Sequence, residues 1–208
     1  MDVTIHFYER MMFFRESVFH ESEKKRSEAF AWIRALTLSV LIVILVRTFI
    51  LGNYIVDGPS MNPTLYNGDR LIVNKLNYEF THPKRFDVVI FHATKTDDYV
   101  KRVIGLPGDT IQYKNDQLYV NGKAVAEPFL DEEKRSMLVG QLTWDFSLKE
   151  LTGKSRVPEG KLWVMGDNRQ NSTDSRVPEI GFISEKKVVG KVDLRYWPIN
   201  RFGIIHRE

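Results

Sequence analysis

Hydrophobic positions along the chain follow two different patterns, and the change between them falls near residue 52. Upstream, Ala35 to Val46 is an uncharged run held between Arg34 and Arg47. As a helix this run reaches only about 18 Å, short of the roughly 30 Å hydrocarbon core. Apolar character continues through Phe30-Ala31-Trp32-Ile33 and Thr48-Phe49-Ile50-Leu51, which extends the segment to about 22 residues. The two arginines lie near its ends, where their heads snorkel to water, and Trp32 takes an interfacial position. The pattern predicts a transmembrane helix over 29–51. No small-x-small site follows it, so it reads as an uncleaved signal anchor. Lys24, Lys25, Arg26 and Arg34 on one flank outweigh Arg47 on the other. That bias predicts a single-pass protein of the plasma membrane with a cytoplasmic N-terminus and everything from about residue 52 outside. Residues 1–28 read as a cytoplasmic leader in which Phe7, Met11, Phe14 and Val18 are spaced like one face of a helix, either an amphipathic helix lying on the membrane or a solvated segment.

Downstream the period shortens. Runs rich in β-branched and aromatic residues recur at Tyr54-Ile55-Val56, Arg70 to Asn74, Phe86 to Phe91, Tyr99 to Ile104, Ile111 to Tyr113, Leu118 to Val120, Leu162 to Met165 and Val188 to Trp197. Asn67-Gly68-Asp69, Pro107-Gly108-Asp109, Asn115-Asp116, Asn121-Gly122 and Pro158-Glu159-Gly160 punctuate them as turns. The prediction is a mainly β, antiparallel sheet or barrel-like domain over 52–208. The hairpin Ile111–Val120 and the irregular charged stretch after it read as an inserted cap over about 111–160.

Composition narrows the chemistry. Of 208 residues, 43% are hydrophobic, and 30 Lys+Arg against 27 Asp+Glu leave a net charge of +3, which does not suit a nucleic-acid partner. The exterior portion is nearly neutral. With no cysteine there is no disulfide, no thiolate nucleophile and no Cys-based metal site. His6, His20, His82, His92 and His206 are scattered without metal-pair spacing.

Three clusters carry candidate chemistry. In Gly58-Pro59-Ser60-Met61-Asn62-Pro63-Thr64-Leu65 the prolines and glycine fix a rigid turn that presents a serine. Such a turn is also an ordinary helix-to-strand connection. In Asp98 to Asp109, a strand must send Lys101 and Arg102 to opposite faces, both otherwise apolar, so one cation sits against apolar surface. Arginine stays charged there, whereas a desolvated lysine falls several units from about 10.4 and becomes a usable base. A lysine snorkelling off a sheet edge is the alternative. The third cluster, Gly166-Asp167-Asn168-Arg169 through Asp174-Ser175-Arg176, is a polar loop suited to a hydrogen-bond and ion-pair network. Its interleaved arginines favour ion pairs over a metal at Asp167 and Asp174.

In this order behind a single anchor, the clusters resemble the bacterial type I signal peptidases, in the compact Gram-positive-like form. The motifs are Ser60-Met61-Asn62-Pro63-Thr64-Leu65, Arg70 to Lys75, Tyr99 to Asp109, and Gly166-Asp167-Asn168-Arg169 through Asp174-Ser175-Arg176. The resemblance implies a membrane-bound serine endopeptidase that cleaves signal peptides from exported pre-proteins after small residues. Ser60 would be the nucleophile and Lys101 the general base of a Ser-Lys dyad, with no metal or organic cofactor. Ser172, Asp174 and Arg176 would support the site. Val56, Met61, Leu65, Tyr99 and Val100 would form substrate pockets for an extended chain added to the sheet. The Ser60 N–H would be one oxyanion donor. Some members supply a second from a serine hydroxyl where this chain has Gly58, so another backbone N–H or a water is expected instead. Implied partners are the signal peptide, the lipid bilayer and the secretion translocon. The competing reading is a non-catalytic membrane-anchored β domain that binds exported chains or organises a secretion complex.

Overall fold

The computed structural model describes residues 30–44, 51–75, 78 and 81–207. The leader, 1–28, lies outside the described residues, as do 29 and 45–50 of the segment 29–51. The chain divides into two compact units, 1–48 and 49–208. In the first, residues 30–44 form a helix, α1, that exposes Phe30, Trp32, Ile33, Leu36, Leu41 and Val43. No helix among the described residues is long and apolar enough to cross a membrane.

In the second unit every strand pairing among the described residues is antiparallel. Its main sheet contains β1 (Leu51–Ile55), β2 (Arg70–Asn74), β3 (Val88–His92), β4 (Asp98–Gly105), β9 (Lys161–Met165), β10 (Ile183–Ser184), β11 (Val188–Trp197) and β12 (Gly203–Ile204). Their order is β1-β2-β11-β3-β4-β9-β10, with β12 on β11. Alternation along β3 shows why the sheet is covered on both faces. Val88 and Ile90 join one core with Val56, Met61, Leu65, Leu71, Val73 and Val192, whereas Val89 and Phe91 join another with Val103, Leu162, Val164 and Ile183.

Between the neighbouring strands β4 and β9, the chain builds a second sheet, β7-β6-β5-β8, from β5 (Ile111–Lys114), β6 (Gln117–Val120), β7 (Lys123–Val125) and β8 (Phe146–Ser147). Asn115 and Asp116 both take positive φ, the twist that a two-residue hairpin needs, and Asn121-Gly122 repeats the device between β6 and β7. Two short helices, α2 (Asp131–Ser136) and α3 (Leu148–Thr152), complete this region. Ser147 and Glu150 form a reciprocal capping box at the start of α3. Ile111, Tyr113, Leu118 and Phe146 pack with Ile104, Trp163 and Met165, so this sheet closes over the main one.

Candidate active site

Ser60 stands in the connection between β1 and β2, which the ladder closes at Ile55 opposite Arg70. The Val56 N–H donates to Asp69 O at 2.9 Å and the Gly68 N–H to Val56 O at 2.8 Å, so the connection leaves and returns through one neck. Gly58 has φ +93, a conformation that glycine adopts freely and serine does not, while a side chain there would meet open space. Backbone geometry thus accounts for glycine at this position. The Gly58 N–H donates to Asn67 Oδ1 at 2.9 Å, so it is not free to serve as the replacement oxyanion donor. The Ser60 N–H has no acceptor among the described residues. The following turn, with Leu65 N–H donating to Met61 O at 2.9 Å, sends Met61 and Leu65 inward together.

Lys101 reaches Ser60 from β4. Its Nζ lies 2.7 Å from Ser60 Oγ and donates to Val100 O at 3.0 Å. Only 4% of the residue is exposed. Burial drives its pKa from the ordinary lysine value to about 8; Asp174 and Asp167 oppose that drop and Arg176 adds to it. At that value about one amine in ten is neutral at pH 7, against about one in 2,500 for free lysine. The Lys101 Nζ also stands 5.3 Å from the centroid of the Tyr99 ring, on the same face of the strand.

The polar loop after β9 grips this pair from behind. The Asn168 N–H donates to Ser60 O at 3.1 Å and its side chain to Pro59 O at 3.2 Å. Gly166 can only be glycine, because a Cβ there would collide with Ser172 Oγ and the Ser60 carbonyl oxygen. Burial pushes the Asp174 carboxyl up, but the hydrogen bonds and charge of Arg176 and the Gly166 N–H outweigh it and hold the group below its usual range. The Arg176 fork is bidentate, Nε to Oδ1 and Nη2 to Oδ2, both at 2.8 Å. Ser172 Oγ is buried beside Asp174 and makes no hydrogen bond of normal geometry among the described residues.

Ser60 and Lys101 open into a cavity of about 330 Å³ that Val56, Tyr99 and Val100 also line. Met61 and Leu65 do not line it. Both are 0% exposed in the core, where they plug the Ser60 connection into the sheet. Tyr54, Leu71 and Ile90 line the cavity instead, together with Asp57 and Asp98. Their β-strand alternation was readable, but nothing in the sequence said which strands face Ser60. Two strand edges border this space. β1 pairs with β2 alone, and β9 joins β4 only from Arg102 onward, so Asp98 to Lys101 lack a strand partner on one side among the described residues.

Two buried ion pairs were not legible beforehand. Arg102 donates from Nε and Nη2 to the two oxygens of Asp167, at 2.9 and 2.7 Å, with both side chains 0% exposed. Arg169 meets Glu127 at 2.6 Å, again with both side chains 0% exposed. Spacing offers Arg169 to the aspartates of its own loop, but its partner comes from the connection that follows β7. No cluster of three or more His, Asp or Glu side chains able to hold a metal occurs among the described residues.

Fold and site together place a serine and a buried lysine of lowered pKa side by side on the wall of a cavity in a β-rich domain. The family described as signal peptidase, peptidase S26, matches residues 29–197. A signal peptidase I of Bacillus caldolyticus is 52% identical over 183 residues, which cover 88% of this chain and 97% of that protein. A signal peptidase IB of Staphylococcus aureus is 44% identical over 181 residues, 85% of this chain and 94% of that protein. The crystal structure of a signal peptidase I from Enterococcus faecalis V583 aligns with a TM-score of 0.50 at 40% identity, covering 54% of this chain and 97% of that one. The chain belongs to the signal peptidase, peptidase S26, family.

Proposed function

We propose that the protein removes N-terminal signal peptides from exported pre-proteins by acyl transfer through a Ser60–Lys101 dyad. The observation that carries this reading is the 2.7 Å approach of Lys101 Nζ to Ser60 Oγ, with the amine buried and its pKa down to about 8. Neutral Lys101 takes the hydroxyl proton as Ser60 Oγ attacks the carbonyl carbon of the scissile peptide bond. The oxyanion is met by the Ser60 N–H. Lys101 then gives its proton to the departing amine, the new N-terminus of the mature protein, and the signal peptide remains as an ester on Ser60. Water loses a proton to Lys101, attacks the ester and releases the signal peptide, and the proton returns to Ser60 Oγ. General-base help of this kind contributes roughly 10²–10⁴ in rate.

The substrate enters as an extended segment between the open edges of β1 and β4, with its alternate small residues against Val56, Tyr99 and Val100. Asp174 and Arg176 orient the lysine's surroundings, and Ser172 joins them once substrate or water fills the cavity. The segment 29–51 anchors the chain in the plasma membrane with 1–28 cytoplasmic, 52–208 outside, and the translocon and lipid as neighbours. The apolar side chains that α1 leaves exposed support that placement. The test is cleavage of a model pre-protein by wild type, Ser60→Ala and Lys101→Ala. Both variants are expected to be folded and inactive, and turnover by either would refute the dyad.

A further inference from the structure

Glu127, Arg169 and Tyr113 are fully or almost fully buried, ionisable, and unused by the chemistry above. They meet where the second sheet touches the polar loop. Arg169 Nη2 donates to Glu127 Oε1 at 2.6 Å and Nη1 to Tyr113 OH at 2.8 Å and Thr143 Oγ1 at 3.2 Å. Tyr113 OH donates in turn to Glu127 Oε1 at 2.6 Å, and Lys134 closes the far side, 3.5 Å from Glu127 Oε2. One guanidinium thus ties Tyr113 of β5, Thr143 before β8 and Glu127 after β7 to the loop that follows β9.

The loop end of Arg169 points to the dyad by two routes. Its carbonyl oxygen accepts from Arg176 Nη1 at 2.7 Å, and Arg176 clamps Asp174, whose charge acts on Lys101. The preceding residue, Asn168, holds the Ser60 carbonyl oxygen at 3.1 Å. A buried ion pair is weak evidence for stability, since apolar residues of similar size often serve as well. Its value here is directional, because a guanidinium held on several sides has little rotational freedom.

We propose that the Glu127–Arg169 pair is a positioning latch through which the inserted sheet sets the Ser60–Lys101 geometry, making that sheet part of the catalytic apparatus. The inference rests on the dyad reading of the preceding section. Released from the latch, Arg176 loses its Arg169 carbonyl and neutralises Asp174 less completely. Lys101 is faced by Asp174, Asp167 and Arg176, by the Tyr99 ring, and across the cavity by Asp57 and Asp98. Of these the Asp174–Arg176 balance is tied to the latch through the Arg169 carbonyl, and Asp167 feels the Arg169 charge directly; freeing either carboxylate favours the charged amine. The acid limb of the activity profile therefore moves to higher pH.

The experiment compares full-length wild type, Tyr113→Phe and the double variant Glu127→Met/Arg169→Met in pre-protein cleavage across pH, alongside thermal unfolding. The double variant removes both charges together and so avoids a stranded buried ion. Tyr113→Phe deletes the oxygen that holds both Arg169 Nη1 and Glu127 Oε1, so it loosens the pair without removing a charge and tests the latch whether or not the double variant folds. In both, kcat is expected to fall by about tenfold or more with KM unchanged, because a misplaced dyad loses rate and not affinity. The acid limb is expected to shift upward. Wild-type kcat, a loss carried by KM, or an unmoved limb in a folded variant would overturn the latch. Ser60→Ala in the same assay separates the readings: if it cleaves, the dyad fails and not merely the latch.

Discussion

Lys101 and Arg102 are neighbours on β4, both buried, and the strand sends them to opposite faces where their charges are treated in opposite ways. Arg102 is given everything a guanidinium can use. It has a bidentate carboxylate from Asp167, the Phe86 carbonyl at 2.9 Å and the face of the Phe129 ring at 3.9 Å. Lys101 has no carboxylate within ion-pair distance among the described residues; its hydrogen bonds go to a hydroxyl and a carbonyl. The two aspartates that raise its pKa are held by arginines, Asp167 by Arg102 and Asp174 by Arg176. Desolvation without a partner lowers a cation's pKa, and desolvation with one keeps the charge. The lesson is that a buried lysine loses charge where the local carboxylates are all held by arginines.

The largest effect that tests this contrast is Lys101→Arg. Arginine preserves charge and length but cannot deprotonate, so pre-protein cleavage should fall by about 10²–10⁴ while the fold is retained. Wild type should lose activity as pH falls through about 8, because only the neutral amine accepts the serine proton. An acid limb near the free-lysine value would show that Lys101 is not desolvated in the working enzyme.

On the opposite face the expected loss is of stability. Asp167→Asn leaves Arg102 charged, fully buried and half-partnered, which should cost about 3–5 kcal/mol in chemical denaturation. A cost below about 1 kcal/mol would mean that water reaches the guanidinium in solution.

Lys101→Met should go the other way. Below pH 8 the buried lysine is charged in both folded and unfolded states, so the whole penalty of its depressed pKa is present. Above its unfolded value it is neutral in both, and the penalty vanishes. A drop from 10.5 to about 8 corresponds to about 3 kcal/mol. The inactive Met variant should therefore be more stable than wild type at neutral pH by an amount of that order, and the gain should disappear above about pH 10.5. Equal stability at pH 7 would indicate that the cavity hydrates the ammonium.

These two faces differ equally in how far the chain alone reveals them. Ser60 and Lys101 stand out only when the family resemblance joins them, since alone the proline-braced turn also reads as a plain connection and the lysine as a snorkelling cation, whereas the long runs β2 and β11 are plain in the alternation. The two-residue strands β8, β10 and β12 are too short to show a period. The family resemblance makes Met61 and Leu65 pocket residues, yet the turn between them puts both on its buried side. Ion pairing is harder still. The aspartates and arginines of the polar loop are interleaved, so spacing suggests local pairs. Asp174–Arg176 is such a pair, but Asp167 takes Arg102 and Arg169 takes Glu127. Partner choice depends on which strands become neighbours, and that is not a local property.

Thr64 is the residue that belongs to both faces. It lies in the Ser60 connection, yet its Oγ1 donates to Asp167 Oδ2 at 2.6 Å and accepts from Arg102 Nη2 at 3.3 Å. Its carbonyl oxygen takes Arg195 Nη1 at 2.9 Å, which fixes the backbone independently of the side chain. Thr64→Val keeps the shape and removes the hydroxyl, so stability should fall by about 1 kcal/mol, the net worth of an ordinary hydrogen bond to a buried group. Thr64→Ser should restore most of it. Because the same side chain steadies the turn that carries Ser60, kcat should fall a few-fold in the valine variant and recover in the serine one. If stability falls while kcat stays at the wild-type value, the ion pair supports the fold alone and the two faces of β4 are energetically separate. If kcat falls with stability, the paired cation helps to aim the nucleophile at the unpaired one.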